Sequence, residues 1–192
     1  MKRFLFFMAL LCIWCISFNS VKAVSNAELQ DTSRFEHIVS KGDTGGGDGK
    51  YIELSTLRDI STDARTKSIE TKIYVVLPSS DLIREYTIRY DYNLNYSFAN
   101  LVAKMPEFKQ RFPDFSLNDI WNLKMDESGI VGTVKAQQDY TLNGESKPTQ
   151  PGYKGDEHVT FLTPTDFDFE SYHVANRVFK KVFGIFYDDV SR

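Results

Sequence analysis

The sequence predicts an α+β fold: an antiparallel sheet with helices packed on one face, one of them an amphipathic helix at the C-terminal end. Three observations predict it. Tyr86 to Tyr96 (YTIRYDYNLNY) alternates large and polar residues without a break. Residues 168–187 repeat apolar residues at helical spacing. Strand-like and helix-like stretches also come in blocks, not in the strict alternation that builds a parallel sheet.

The first 23 residues stand apart from this pattern. Lys2 and Arg3 precede an uncharged apolar run, Phe4 to Phe18, and Asn19 to Ala23 is more polar, with small residues at Val21 and Ala23. That is the layout of a cleavable secretory signal. The run is shorter than the roughly 20 apolar residues a spanning helix needs. The expectation is cleavage after Ala23, export to a bacterial periplasm or the medium, and no membrane span thereafter. Leu11 and Trp14 precede Cys12 and Cys15, which disfavours a lipid-anchored precursor.

Residues 24–192 then form a single soluble domain, of a size that buries a core without disulfides. Both cysteines leave with the leader, which excludes a thiol nucleophile, a thiolate metal site and a redox role for the remainder. Lys2, Arg3 and Lys22 leave as well, so 20 basic residues face 26 acidic ones. That balance opposes nucleic acid as a partner, since nucleic-acid binding calls for a basic patch.

Residues 24–34 are polar and aperiodic and read as a loose leader into the fold. Phe35 to Val39 suits a short strand, and Lys41 to Gly49, with its five glycines, a surface loop. Lys50 to Arg58 is strand-like. Lys67 to Leu77 ends in a β-branched run that Pro78 stops, which marks a buried strand. In Tyr86 to Tyr96 the six large residues share one face and the five polar ones the other, the signature of a half-buried strand. Ser97 caps a helical stretch, Pro106 opens a second in its first turn, and Ser116 with Asp119 forms a capping box for a third carrying Leu117, Ile120 and Trp121.

Gly129 to Leu142 returns to strand, and Asn143-Gly144 signals a hairpin turn. Glu145 to Asp156 reads as loop, and His158 to Thr163 as a last short strand. In the final helix Tyr172, Ala175, Val178, Phe179, Val182, Phe183 and Phe186 form an apolar stripe, with Asn176, Arg177, Lys180 and Lys181 opposite. That stripe is expected to pack on the tyrosine face of strand 86–96.

Chemistry-bearing motifs are sparse. The Gly/Asp loop has Thr44 and Tyr51 where a Walker loop needs glycine and serine or threonine, and it lacks the ligand spacing of a calcium loop. The three histidines, His37, His158 and His173, share no metal-ligand spacing. No cofactor or metal is expected. Glu157 and His158 are the one local acid–base pair, and Asp166 with Glu170 a candidate carboxylate pair that helix capping explains as well. Tyr86, Tyr90, Tyr92 and Tyr96 offer an aromatic binding face if they are not core.

These residues lead to an expected non-enzymatic, exported binding protein whose partner is a protein or envelope component, in the manner of an inhibitor or immunity protein. Two alternatives stand beside it. One is an envelope-polymer hydrolase using Glu157 and His158. The other is a small-ligand carrier with its pocket between the sheet and helix 168–187.

Overall fold

The spine of the molecule is a pair of twelve-residue strands, β4 (Thr66–Leu77) and β5 (Leu82–Asn93), paired antiparallel from Leu77↔Leu82 to Thr66↔Asn93. Both are rich in Ile, Val, Thr and Tyr, which suit a pleated, half-buried surface. Pro78 opens the 3-10 turn between them and Asp81 closes it at φ 46. The computed structural model describes residues 23–38, 49–149, 158–164 and 169–191. The Gly/Asp loop at 41–48 lies outside them.

Shorter strands flank the pair, all antiparallel. β1 (Phe35–Ile38) pairs with β2 (Gly49–Glu53), which pairs with one end of β4, while β3 (Arg58–Asp59) pairs with its other end. On the far side β6 (Ile130–Tyr140) pairs with β5, and carries β7 (Ser146–Lys147) at one end and β8 (His158–Leu162) at the other. The order is β1-β2-β4-β5-β6-β7, with β3 on β4 and β8 on β6. The α+β class read from the sequence is therefore the class observed.

Two details depart from the expected pattern. β5 ends at Asn93, and Leu94–Tyr96 is a 3-10 turn, because the Asn93 side chain accepts the Asn95 N–H and turns the chain. The expected strand to Tyr96 is thus three residues too long. β6 also contains a register shift: Thr87 pairs with Ala136 but Ile88 with Val134, leaving Lys135 as the extra residue of a β-bulge.

α4 (Phe169–Phe183) covers one face of the sheet. Tyr172, Val174, Ala175, Val178 and Phe179 are buried there against Ile52, Ile69, Ile73, Tyr90, Tyr92 and Ile130. The Tyr92 ring lies 4.8 Å from that of Phe179, and its hydroxyl donates to the Ala175 carbonyl at 2.8 Å. The expected contact between the tyrosine strand and the final helix is thus present. The helix stops before the expected Tyr187, since Gly184 takes φ +78 and its N–H bonds back to Lys180 O. Phe186 lies beyond it, with the Lys180 ammonium 4.1 Å from its ring. Asn176, placed by periodicity on the polar face, is buried, and its Nδ2 donates to Tyr172 O at 3.3 Å.

The reverse face carries a second core of Phe35, Tyr51, Tyr74, Val76, Ile83 and Tyr140. Val24 and Leu29 seal it beside Ala23, so the segment 24–34, expected to be a loose leader, is an integral part of the fold. Burial of Leu29 orders the segment, and Ser25 adds local bonds, its N–H and Oγ both donating to Glu28 Oε2 at 2.9 Å. Asn26 N–H further bonds Leu142 O, beside the hairpin that Gly144 turns at φ +85. Elsewhere this face is polar, with ion pairs such as Lys72–Glu85 at 2.7 Å and Arg89–Asp91 at 2.9 Å.

Between β5 and β6 lie three helices, α1 (Phe98–Ala103), α2 (Met105–Arg111) and α3 (Leu117–Asp126). Their starts follow the sequence signals: Ser97 Oγ accepts the Asn100 N–H, Pro106 sits in the first turn of α2, and Ser116 bonds Asp119. Only Ile120 and Lys124 of α3 are buried. Leu117 and Trp121 are half exposed, and Met125 continues their line on the open side of the helix. Among the described residues no helix is long and apolar enough to cross a membrane.

Candidate functional site: a cleft on the helix face of the sheet

α4 covers only part of the sheet. Paired residues point to the same side, so one transverse row on the helix face runs Ile52, Ile73, Tyr86 and Gln137, and the next Thr71, Ile88 and Val134. Where the helix does not reach, these rows line an open cleft of about 370 Å³. Ile73 and Val75 of β4, Tyr86, Ile88 and Tyr90 of β5, and Gly132 and Val134 of β6 form its floor. Thr160 and Leu162 of β8 and Ser171 and Val174 of α4 wall one side, and Lys50 of β2 lies at the other. The lining is mainly apolar, with few polar groups, as ligand sites of this size are.

Gly132 makes room in the floor. A Cβ there would meet Leu162 Cδ1 at 3.5 Å and Tyr90 Cε1 at 3.6 Å, ordinary contacts, so the strand accepts a Cβ at this point of the cleft floor.

A second, more polar cleft of about 310 Å³ continues along the same face, lined by Leu77, Ser80, Leu82, Arg84, Asp139, Lys147 and Pro148. Arg84 holds buried Asp139 in a two-pronged bond, Nε–Oδ1 2.9 Å and Nη2–Oδ2 3.1 Å, and also bonds the Tyr86 phenol. Those hydrogen bonds raise the guanidinium pKa further, so Arg84 stays charged. The β-bulge is what brings Asp139 here. Without Lys135 as an extra residue, simple alternation would turn Gln137 and Asp139 to the reverse face.

The four tyrosines singled out by the sequence do not make one surface. Tyr90 and Tyr92 are core, and burial raises both phenol pKa values. Tyr86 lines the cleft, and Tyr96 lies in the turn after the strand, bonded to Glu127. Glu157 and Asp166 lie outside the described residues, while His158 stands opposite Val134 on β8 and Glu170 in the first turn of α4. His37 stacks on Tyr51 on the reverse face, ring centroids 4.6 Å apart. Among the described residues no group of three His, Cys, Asp or Glu is arranged to hold a metal ion. Lys50, Gly132 and Val134 went unnoticed in the sequence, because nothing marks a strand residue as cleft-lining until its neighbours are known.

A separate cluster joins the helical insert to the chain after α4. Lys124 is fully buried, with Nζ 2.7 Å from Asp188 Oδ1 and donating to Tyr96 O and Ser128 O, each at 2.9 Å. Asp188 also accepts from Phe98 N–H and the Tyr172 hydroxyl. Burial pushes the Lys124 pKa below its ordinary value, and the Asp188 carboxylate opposes that shift. Neither cleft is lined by these residues, and every donor has a partner, so the cluster is a structural tie.

Fold and site together define an α+β protein with a helix-flanked cleft on a long antiparallel sheet. Comparison with protein-family models, with curated proteins and with solved structures yields no match.

Proposed function

We propose that this chain is an exported carrier that holds a small apolar molecule in the cleft between the helix face of the sheet and α4. The observation that carries the reading is the cleft itself: about 370 Å³ of mainly apolar space where the tyrosine strand is left uncovered by the helix. A molecule filling it gains by burial against Ile73, Ile88 and Val134, at roughly 25 cal/mol per Å² of apolar surface removed from water.

The test is to fill the space from the protein side. Gly132→Phe is expected to lower the affinity for a neutral apolar dye at least tenfold while leaving the thermal midpoint unchanged or higher. Unaltered dye binding in a folded Gly132→Phe variant would reject the cleft as the site. The exported part of the reading makes its own prediction. Mass spectrometry of the native chain should find Val24 at the amino terminus, and a chain retaining residues 1–23 would refute export by cleavage.

A further inference from the structure

We infer that the molecule carried is neutral and apolar apart from one oxygen, which accepts a hydrogen bond from the Tyr90 hydroxyl in the cleft floor; this rests on the carrier reading above. The observation behind it is an unpaired phenol. Tyr90 is 3 % exposed, and its hydroxyl has no hydrogen-bond partner among the described residues. Every other tyrosine there has one. The hydroxyls of Tyr74, Tyr92, Tyr172 and Tyr187 donate to Glu53, Ala175 O, Asp188 and the Asn93 or Ser128 carbonyl. Those of Tyr51, Tyr86, Tyr96 and Tyr140 are bonded to Gln30, Arg84, Glu127 and Glu85. A buried hydroxyl without a partner gives up hydration and gains nothing in return, which is why such groups are rare. Tyr90 lines the cleft, so an oxygen placed there supplies the missing partner.

The backbone gives that oxygen a place. Gly132 pairs with Tyr90 on one side and Thr160 on the other, so the three form one row facing the cleft, with no side chain at its middle. A Cβ at Gly132 would lie 3.6 Å from Tyr90 Cε1, the ring carbon next to the one that bears the hydroxyl. The notch thus leaves the hydroxyl end of the ring uncovered. Burial raises the phenol pKa, so Tyr90 keeps its proton and can donate it. The ligand's oxygen belongs to a neutral group such as a ketone, ester or ether. Among the described residues no carboxylate lines this cleft, and Lys50, its one charged lining group, already has a partner. An ionic group entering there would lose hydration without gaining an opposite charge.

The experiment is displacement of a neutral apolar dye from the full chain by alkyl phenyl ketones, alkylbenzenes, phenylalkanoates and phenylalkylammonium ions of equal heavy-atom count. Tyr90→Phe is expected to lower ketone affinity about tenfold while alkylbenzene affinity stays the same or rises. Both ions should bind about tenfold more weakly than the ketone. Without ligand, Tyr90→Phe should leave the thermal midpoint unchanged or higher, because the hydroxyl it removes has nothing to bond. Tyr92→Phe is the control: it loses the bond to Ala175 O, so its midpoint should fall while the ketone-to-hydrocarbon ratio stays that of the parent chain. An unchanged ratio in Tyr90→Phe, or a midpoint as low as that of Tyr92→Phe, would overturn the role of Tyr90 and leave the cleft standing. An ion binding as tightly as the ketone would overturn the neutral group. Failure of the dye and of every probe to bind would overturn the carrier reading itself.

Discussion

Lys124→Met is expected to destabilise the domain by about 3 kcal/mol, near the lower end of what is lost when one partner of a buried ion pair is removed. Methionine replaces the aliphatic stem but none of the hydrogen bonds. Tyr96 O and Ser128 O each lose a donor, and Asp188 loses its cation. The figure falls near the lower end because the Asp188 side chain keeps 29 % of its exposure and recovers some hydration. Urea unfolding would show a lower midpoint at an unchanged slope. A loss below about 1 kcal/mol would mean that the buried ammonium does little more than offset its own desolvation.

Gly129→Ala strikes the same junction from the backbone side and is expected to cost about 2–5 kcal/mol. Gly129 stands at φ +80 between α3 and β6, a conformation that disfavours any side chain. A Cβ there would overlap the Tyr187 hydroxyl and the Tyr96 Cβ, and lie 3.1 Å from Asn93 O. Tyr187 has little room to yield. Its hydroxyl lies 2.6 Å from Asn93 O and 3.0 Å from Ser128 O, donating to one of them at a time, and its ring is 4.7 Å from the Lys124 ammonium. Gly184→Ala is the matched control. It has φ +78 but open space around the missing Cβ, so it should incur only the backbone cost, about 1–2 kcal/mol. Equal losses in the two variants, measured by urea unfolding, would show that crowding at Gly129 is relieved by local movement.

How much of this was readable in the sequence depends on the range of the interaction. Ser97, Ser116 with Asp119, and Asn143-Gly144 act within four residues, and each does in the structure what its type and spacing imply. The tyrosine alternation gave the strand and its buried face, because period two cannot be satisfied by a helix. It overran at Asn93, where an equally local signal, the Asn side chain on Asn95 N–H, ends the strand. Ser25-x-x-Glu28 was also in plain view, but polar residues flanking it suggested a loose leader; what orders the segment is burial of Leu29 against residues far along the chain.

The cleft was the least legible part. It exists because α4 ends where it does over the sheet and because residues from five strands and a helix line one space. None of those positions is unusual alone. The stripe of α4 could be read from its spacing, but how much of the sheet it leaves bare is a matter of lengths and crossing angle. Lys124 shows the same limit from another side: a lysine on a short helix reads as a solvated charge until Asp188, some sixty residues away, is seen beside it.

The extra residue at Lys135 has one more consequence. It splits β6 into two alternations that run out of phase: Gly132 and Val134 belong to one, Gln137 and Asp139 to the other. The lipophilic half and the ionic half of the groove are thus written in separate frames of a single strand. A substitution in one frame changes the side chain that faces one cleft and leaves the frame that faces the other as it was.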